Sequence, residues 1–139
     1  HLRTTFYKPE LSGLIPPGQI EDKAEMLVDY EDRLNIFDTL TLCRFYRDMY
    51  TWEELEKSLR LVTGINRSTE DLKNIAANIA TMTRQFNIRE GFSADDDRLP
   101  SRLHKEALAE GGSLSERDME YMLQDYYRLR GWDHQGVPL

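Results

Sequence analysis

The sequence predicts an all-α fold, an irregular helical bundle. Apolar residues recur three and four positions apart in several segments, and this spacing places them on one face of a helix. No segment of useful length alternates apolar and polar residues as a half-buried strand does. Hydrophobic residues make up 40% of the 139 residues and charged residues 31%, which is typical of a globular domain rather than of a disordered segment.

The first helix follows an irregular arm. Residues 1–19 hold three of the five prolines and two glycines, which indicates an arm that enters from a preceding domain. Residues 20–139 are predicted to form the helical domain. Its first helix starts near Ile20 and has an apolar stripe of Met26, Tyr30, Leu34 and Phe37. The pattern then blurs, so that residues 38–46 are either the end of this helix or a buried turn.

Start and stop signals delimit the next two helices. Thr51 and Glu54 form a capping box, and Gly64 suits the left-handed residue that ends the helix. This helix is predicted to turn Leu55, Leu59 and Val62 inward. A second start at Ser68 leads into the longest amphipathic run, which ends near Gly91. The run comprises Leu72, Ile75, Ala76, Ile79, Met82 and Phe86.

A loop and a last helix complete the predicted fold. Residues 92–115 include three aspartates, a proline and two adjacent glycines, which favours a surface loop with a short helix at 101–109. The acidic run of this loop, residues 95–97, is predicted to be solvated. The last helix starts near Ser115 and stops at Gly131. Its predicted inner face comprises Met119, Met122, Leu123 and Tyr126.

Charge and cysteine content exclude several classes of function. The net charge is −7, and an acidic domain is poorly suited to nucleic acid, whose binding depends on neutralising phosphates. No apolar run reaches the ~20 residues of a membrane span, so neither nucleic acid nor membrane is predicted as a partner. A single cysteine excludes an internal disulfide and a complete zinc site within the chain. It is consistent with the reducing cytoplasm, the expected location.

Cys43 is that single cysteine, and it lies among Leu40, Leu42 and Phe45. One interpretation is that Cys43 fills a gap in the core, since free cysteine behaves as a small hydrophobe. The other is that its sulfur is one ligand of a group whose remaining ligands lie outside this chain. The residues alone leave both open.

Three polar residues have a functional and a plain interpretation. Asp38 lies in an apolar stretch, where an unpaired carboxylate is costly to bury. It is either a cap or surface residue, or an acceptor for paired N–H donors such as an amino-pyrimidine edge. His1 and Arg3 share one face if the start is extended. There a histidine can shuttle protons and an arginine can hold an oxyanion; the alternative is a disordered terminus.

Three stretches carry a resemblance to a known family. They are HLRTTFYKPELSG at 1–13, DTLTLC at 38–43, and RQFNIREGFSADDDRLPSRL at 84–103 followed by YYRLRGWDHQG at 126–136. Together they resemble the carboxy-terminal domain of the tungsten-containing aldehyde ferredoxin oxidoreductases, and the resemblance covers essentially the whole chain. The first is similar to an active-site histidine segment, the second to a D-x-x-G-L-C motif that binds pterin and cluster, and the two parts of the third to a carboxy-terminal signature.

The resemblance implies an enzyme that oxidises aldehydes to carboxylates and passes electrons one at a time through a 4Fe–4S cluster to ferredoxin. It implies tungstopterin, in which two pterin dithiolenes hold the metal, and leaves tungsten or molybdenum open. Three cluster cysteines belong to a C-x-x-C-x-x-x-C motif in an earlier domain, and the fourth is implied to be Cys43. Both cofactors therefore need upstream domains, and this chain is not expected to be active alone.

The resemblance also assigns roles to residues. It implies that Asp38 hydrogen-bonds a pterin and that Leu42 and Arg44 contact pterin or cluster through backbone groups. His1 is implied to lie beside the metal, as a proton-transfer or substrate-oxygen group, and Arg3 to be a basic pterin contact. One departure is Thr41, which stands where the motif has glycine. As a β-branched residue it is expected to keep a negative φ.

Two other functions stay open at this stage. One is a family member with another substrate, in which an aromatic acyl-CoA ring is reduced. The other is a helical interaction module without a cofactor. For the enzyme, the expected partners are ferredoxin, an aldehyde and the upstream domains of the same polypeptide, and assembly into a homo-oligomer is left open. The surface near His1, Asp38 and Cys43 is expected to be unusually apolar.

Overall fold

A computed structural model describes residues 19–106 and 113–139, and the predicted all-α class is confirmed. The α-helices are α1 (Lys23–Thr39), α2 (Trp52–Thr63), α3 (Thr69–Arg89), α4 (Arg102–Lys105) and α5 (Glu116–Arg130). Two 3-10 helices span Arg44–Met49 and Ala94–Asp97. No sheet is present in the described part of the chain, where Trp132 and Pro138 form an isolated antiparallel bridge. Within these ranges, no helix has the length and apolar character that crossing a bilayer requires.

The described chain divides into two compact units. The first unit comprises residues 29–80. The second comprises residues 19–28, 81–106 and 113–139. Each unit has its own buried residues.

The core of the first unit joins three helices. Its buried side chains come from α1 (Ile36, Phe37), α2 (Trp52, Leu55, Leu59) and α3 (Leu72, Ala76). Phe37 and Leu55 are fully buried, and each such side chain contributes about 1.5–3 kcal/mol to folding. The Trp52 indole N–H donates to the Asp29 carboxylate at 2.9 Å, so that its polar edge is satisfied within the core.

The predicted helix starts of this unit are confirmed. The Glu54 N–H donates to Thr51 Oγ1 at 3.3 Å, and the Thr51 N–H donates to the Glu54 carboxylate at 2.7 Å. Gly64 ends α2 in the left-handed conformation, with φ 75°. At the start of α3, Glu56 of α2 accepts hydrogen bonds from the Thr69 N–H and hydroxyl at 2.8 and 2.9 Å. One helix therefore helps to cap the next.

Parts of the predicted inner faces are wrong. Val62 was expected to point inward and is 84% exposed, and Met82, in the amphipathic run, is 68% exposed. The apolar stripe of a helix can be wider than the surface that a neighbouring helix covers. The buried contact between α2 and α3 already comprises Leu55, Leu59, Leu72 and Ala76. In α5 the buried residue is Tyr127, whereas Tyr126 is only half-buried.

The core of the second unit contains a buried arginine. Arg84 of α3 donates to Asp97 through two nitrogens at 2.9 and 2.6 Å, and its Nε donates to the Gly136 carbonyl at 2.8 Å. Tyr127 donates its hydroxyl to Asp97 at 2.5 Å, and the guanidinium lies 5.5 Å from the Trp132 ring. Asp97 is therefore a structural partner, and the prediction of a wholly solvated acidic run is wrong for this residue.

Two helices of the second unit end in turns of the same type. In α5, Gly131 donates to the Arg128 carbonyl at 3.1 Å and Trp132 donates to the Tyr127 carbonyl at 2.9 Å. In α3, Gly91 and Phe92 make the corresponding bonds, each at 3.0 Å. Both glycines have positive φ, as this Schellman motif requires. The predicted stops at both glycines are confirmed.

Candidate functional site

The predicted site lies on the turn that ends α1. Thr41 donates its N–H to the Asp38 carbonyl at 3.1 Å, and Leu42 donates to the Phe37 carbonyl at 2.8 Å. This is again the Schellman motif. Leu42 packs against the core of the first unit, which anchors the turn. The motif D-x-x-x-L-C therefore forms one compact corner, with Asp38 before the turn and Cys43 after it.

Thr41 does not have the expected negative φ. Its φ is 56°, in the left-handed region that glycine adopts easily and other residues adopt at a cost of about 1–2 kcal/mol. The two hydrogen bonds of the turn and the buried side chain of Leu42 outweigh this cost. The backbone thus takes the conformation that the motif's glycine would favour, although the glycine is absent.

Cys43 is exposed, so the interpretation as a core filler is wrong. It precedes the 3-10 helix in extended conformation, with φ −71° and ψ 121°, and its side chain makes no capping hydrogen bond. Among residues 19–106 and 113–139, no group of three or more His, Cys, Asp or Glu is arranged to hold a metal ion. Within those ranges, Cys43 can supply only one ligand of a larger set.

Asp38 is held by Arg44. The Arg44 Nε donates to Oδ1 at 2.9 Å, and Nη2 donates to Oδ2. The hydrogen bonds from Arg44 lower the pKa of Asp38, so the carboxylate is anionic at neutral pH. Asp38 lies in the last turn of α1, where no N–H groups need a cap. It is a surface carboxylate with its side chain 52% exposed.

For the remaining predicted residues, the structure leaves few backbone groups free to contact a cofactor, or does not describe the residue. The Leu42 N–H is already used by the Phe37 carbonyl, and the Arg44 carbonyl accepts from Arg47 at 2.8 Å. A backbone contact from Leu42 to a cofactor would therefore use its carbonyl. His1 and Arg3 lie outside the described residues, and their roles stay predictions.

An exposed apolar surface adjoins Cys43. It consists of Phe45, Tyr46 and Met49 from the 3-10 helix, together with Leu61 of α2, and is called the Phe45 surface below. Phe45 is 90% exposed and Met49 is 64% exposed. The groove between the two helices has a volume of about 560 Å³ and is lined by Tyr46, Met49, Tyr50, Glu54, Lys57, Ser58 and Leu61.

An exposed apolar surface of this kind marks a place where another molecule or domain binds. The unusually apolar surface expected near His1, Asp38 and Cys43 stays a prediction, and the exposed side chains of Phe45 and Met49 are consistent with it. Tyr46 and Met49 were not among the predicted functional residues. The signal was present, since Tyr46 and Met49 are three residues apart, which is the spacing of one 3-10 turn.

Comparison with known proteins decides the family. The family model described as aldehyde ferredoxin oxidoreductase, domains 2 & 3, matches residues 1–139. The chain belongs to this family. The family resemblance found in the sequence is therefore confirmed. The chain corresponds to domains of a family of oxidoreductases.

Relatives in the family are longer proteins. The tungsten-containing aldehyde ferredoxin oxidoreductase of Pyrococcus furiosus is 30% identical over 142 residues, and that of Thermococcus kodakarensis is 31% identical. In both comparisons 98% of this chain aligns with 24% of the relative. The chain thus spans about a quarter of the length of these relatives.

A solved structure has the same fold. It is the active site complex BamBC of benzoyl coenzyme A reductase in complex with 1,5-dienoyl-CoA, which superposes with a TM-score of 0.74 at 25% identity. The match covers 88% of this chain and 19% of the other. The aldehyde ferredoxin oxidoreductase fold therefore also occurs in an enzyme named for a different substrate.

Proposed function

We propose that this chain is the cofactor-facing part of an enzyme that oxidises aldehydes to carboxylates with ferredoxin as the electron acceptor. One observation carries the proposal: Asp38 and Cys43 lie on one exposed turn whose backbone has the path that the motif's glycine would favour. Membership of the family supports it, as do the names of the relatives, which are tungsten-containing aldehyde ferredoxin oxidoreductases.

The residues of the turn fit the cofactors that the proposal needs. A cysteine thiolate is the usual ligand of iron–sulfur clusters, and the thiol of Cys43 is exposed and makes no capping bond. A carboxylate can accept two parallel N–H bonds from the edge of a pterin, and Asp38 is exposed and anionic. Cys43 would be the fourth cluster ligand, and Asp38 would hold a pterin through its two oxygens.

Other residues have supporting roles in the proposal. Bound tungstopterin and the 4Fe–4S cluster supply the oxidation and the electron transfer, while the protein binds them and moves protons. His1 would transfer a proton near the substrate, since imidazole titrates near neutral pH, and Arg3 would contact a pterin. Leu42 and Arg44 would line the same corner. The three other cluster cysteines would come from upstream domains.

The Phe45 surface supports the proposal that this chain is one part of a larger enzyme. Phe45 is two residues from Cys43 and almost fully exposed. A polypeptide that brings three more cysteines to a cluster on Cys43 would lie close to residues two positions away from it. We infer that the upstream part of the enzyme covers the Phe45 surface.

A second substrate class has a specific observation in its favour. The superposition on the benzoyl coenzyme A reductase complex makes reduction of an aromatic acyl-CoA ring the alternative reaction. Turnover of the intact enzyme with aldehydes and with an aromatic acyl-CoA separates the two. The expected result is aldehyde oxidation with reduction of ferredoxin. An enzyme that reduces the aromatic acyl-CoA and does not oxidise aldehydes would favour the second substrate class instead.

The Cys43→Ala variant of the intact enzyme tests the cluster assignment. Because the side chain is exposed in this domain and makes no capping hydrogen bond, the variant should keep its helical fold, which circular dichroism measures. The expected result is loss of iron or a damaged cluster in the electron paramagnetic resonance spectrum. A full iron content with an unchanged spectrum would refute the assignment.

The His1→Ala variant of the intact enzyme tests the proposed role of His1 in proton transfer. It should keep metal and iron but turn over more slowly, and unchanged turnover from about pH 5 to 9 would remove His1 from the active site.

A further inference from the structure

The contact between Arg44 and Asp38 has the geometry of the contact that a pterin would make. A guanidinium presents two parallel N–H donors in a fixed fork, and a carboxylate accepts them side by side. In the structure Arg44 supplies this pair through Nε and Nη2, one to each oxygen of Asp38. The amino-pyrimidine edge of a pterin presents the same two donors. Arg44 therefore occupies the edge of the carboxylate that a pterin needs.

We propose that Arg44 is an internal substitute for the pterin edge: it pairs with Asp38 in the absence of cofactor and is displaced when the pterin binds. This proposal rests on the proposed function, in which Asp38 holds a pterin. It differs from the role that the family resemblance gives Arg44, which is a backbone contact. Here the guanidinium itself acts, as a competitor of the cofactor.

The pair is easily opened. The side chains of Arg44 and Asp38 are 58% and 52% exposed, and exposed ion pairs are weak because water solvates both charges. Among the described residues Asp38 is the only acceptor of the Arg44 guanidinium. Arg44 begins the 3-10 helix, and its backbone is anchored by the bond from Arg47. The guanidinium can therefore leave Asp38 while the turn keeps its shape.

An internal competitor weakens the apparent affinity for the cofactor. Apparent affinity falls in proportion to the fraction of molecules in which Asp38 is available. For an exposed pair of ordinary strength, removing the competitor should raise apparent affinity about two- to fivefold. A lysine in place of the arginine should have an intermediate effect, because it offers a point charge without the fork.

Cofactor loading of the intact protein tests the proposal. The wild type and the variants Arg44→Met, Arg44→Lys and Asp38→Asn are produced at graded tungstate supply, and tungsten and pterin per protein are measured. The expected result is half-loading of Arg44→Met at about two- to fivefold lower supply, with Arg44→Lys between it and the wild type. The control is Arg98→Met, which removes another exposed pair, with Asp95, and should load like the wild type.

The outcomes separate this proposal from the proposed function. If Arg44→Met loads as poorly as Asp38→Asn, Arg44 is itself a cofactor contact and the proposal is wrong. If Arg44→Met and the wild type load alike while Asp38→Asn loads poorly, Asp38 holds the pterin without competition, and only this proposal fails. If Asp38→Asn loads normally, the assignment of Asp38 in the proposed function fails. Melting temperatures of the cofactor-free variants verify that all of them fold.

Discussion

Thr41 and Gly131 occupy the same position in two helix-ending turns. Both have a left-handed backbone, with φ 56° and 70°. Each donates its N–H to the carbonyl three residues earlier, at 3.1 Å, and the residue after each donates to the carbonyl five residues before it. One position holds a glycine and the other a β-branched residue. The end of α1 therefore carries a conformational cost that the end of α5 avoids.

Removing that cost should stabilise the protein. We expect Thr41→Gly to raise the free energy of unfolding by up to about 1 kcal/mol, since relief of the left-handed strain exceeds the added chain entropy of glycine. Urea denaturation measures the change. At the matching position, Gly131→Ala should lose about 1–2 kcal/mol, because the added Cβ meets no atom within 4 Å and only backbone strain acts. A Thr41→Gly variant that is less stable than the wild type would contradict the prediction.

Gly136 and Gly131 form a matched pair for a second prediction. Both have φ 70°, but a Cβ at Gly136 would lie 2.6 Å from Arg84 Nη2 and 2.7 Å from Tyr127 Cζ. The same strain acts in both alanine variants, so the difference between them measures the steric clash. We expect Gly136→Ala to be less stable than Gly131→Ala by about 1–3 kcal/mol. Equal losses of stability for the two variants in thermal unfolding would show that the core of the second unit can accommodate the added Cβ.

The hydroxyl of Tyr127 should stabilise the second unit. Tyr127→Phe removes the 2.5 Å bond to Asp97 and keeps the ring. A hydrogen bond to a charged group contributes about 1.5–3 kcal/mol, and we expect a loss of that size in urea unfolding. The control is Tyr121→Phe, since Tyr121 is exposed and its change should be within about 0.5 kcal/mol. A loss no larger than that of the control would exclude the bond as a stabilising contact.

The same bond predicts a pH dependence. Burial, followed by the bond to Asp97, raises the pKa of Tyr127 above its ordinary value of 10.0. The stability that the hydroxyl contributes is thus complete below pH 10 and declines as the pH rises further, because the unfolded chain then loses its proton before the folded one. The difference in stability between wild type and Tyr127→Phe should shrink from about pH 10 upward. A constant difference would argue against the raised pKa.

Oxidation of methionines reports on the Phe45 surface. Met49 and Met82 are exposed to nearly the same extent, 64% and 68%, but only Met49 belongs to the Phe45 surface. If upstream domains cover that surface, Met49 in the intact enzyme should react with dilute hydrogen peroxide more slowly than Met82. Peptide mass spectrometry measures both rates, with the urea-unfolded protein as the reference. Oxidation of Met49 at the rate of the unfolded protein would show that the surface is uncovered.

Local signals in the sequence were enough for the boundaries of α2. The capping box of Thr51 and Glu54 and the stop at Gly64 involve groups within four residues, and both are confirmed. Inward-facing residues were harder to predict, because burial depends on where another helix crosses. Val62 is exposed for this reason. The buried Arg84 could not be predicted, since its acceptors are 13 and 52 residues away.

The candidate site was predictable as a motif but not as a conformation. The D-x-x-x-L-C stretch located the turn. Residue preference predicted the wrong φ for Thr41, because main-chain hydrogen bonds and the packing of Leu42 determine that angle. The pairing of Arg44 with Asp38 spans six residues. It depends on the reversal of the chain between them, which the sequence pattern does not reveal.

The corner that carries Cys43 has a consequence for protein engineering. The turn is held by main-chain hydrogen bonds and by Leu42, whereas the side chain of residue 43 takes no part in holding it. If Cys43 is a cluster ligand, as proposed above, the ligand atom can be exchanged without redesign of the scaffold: aspartate, histidine or serine at this position would present a carboxylate, an imidazole or a hydroxyl from the same backbone. The reduction potential of an attached iron–sulfur cluster depends on its ligands, so one position would tune electron transfer independently of folding.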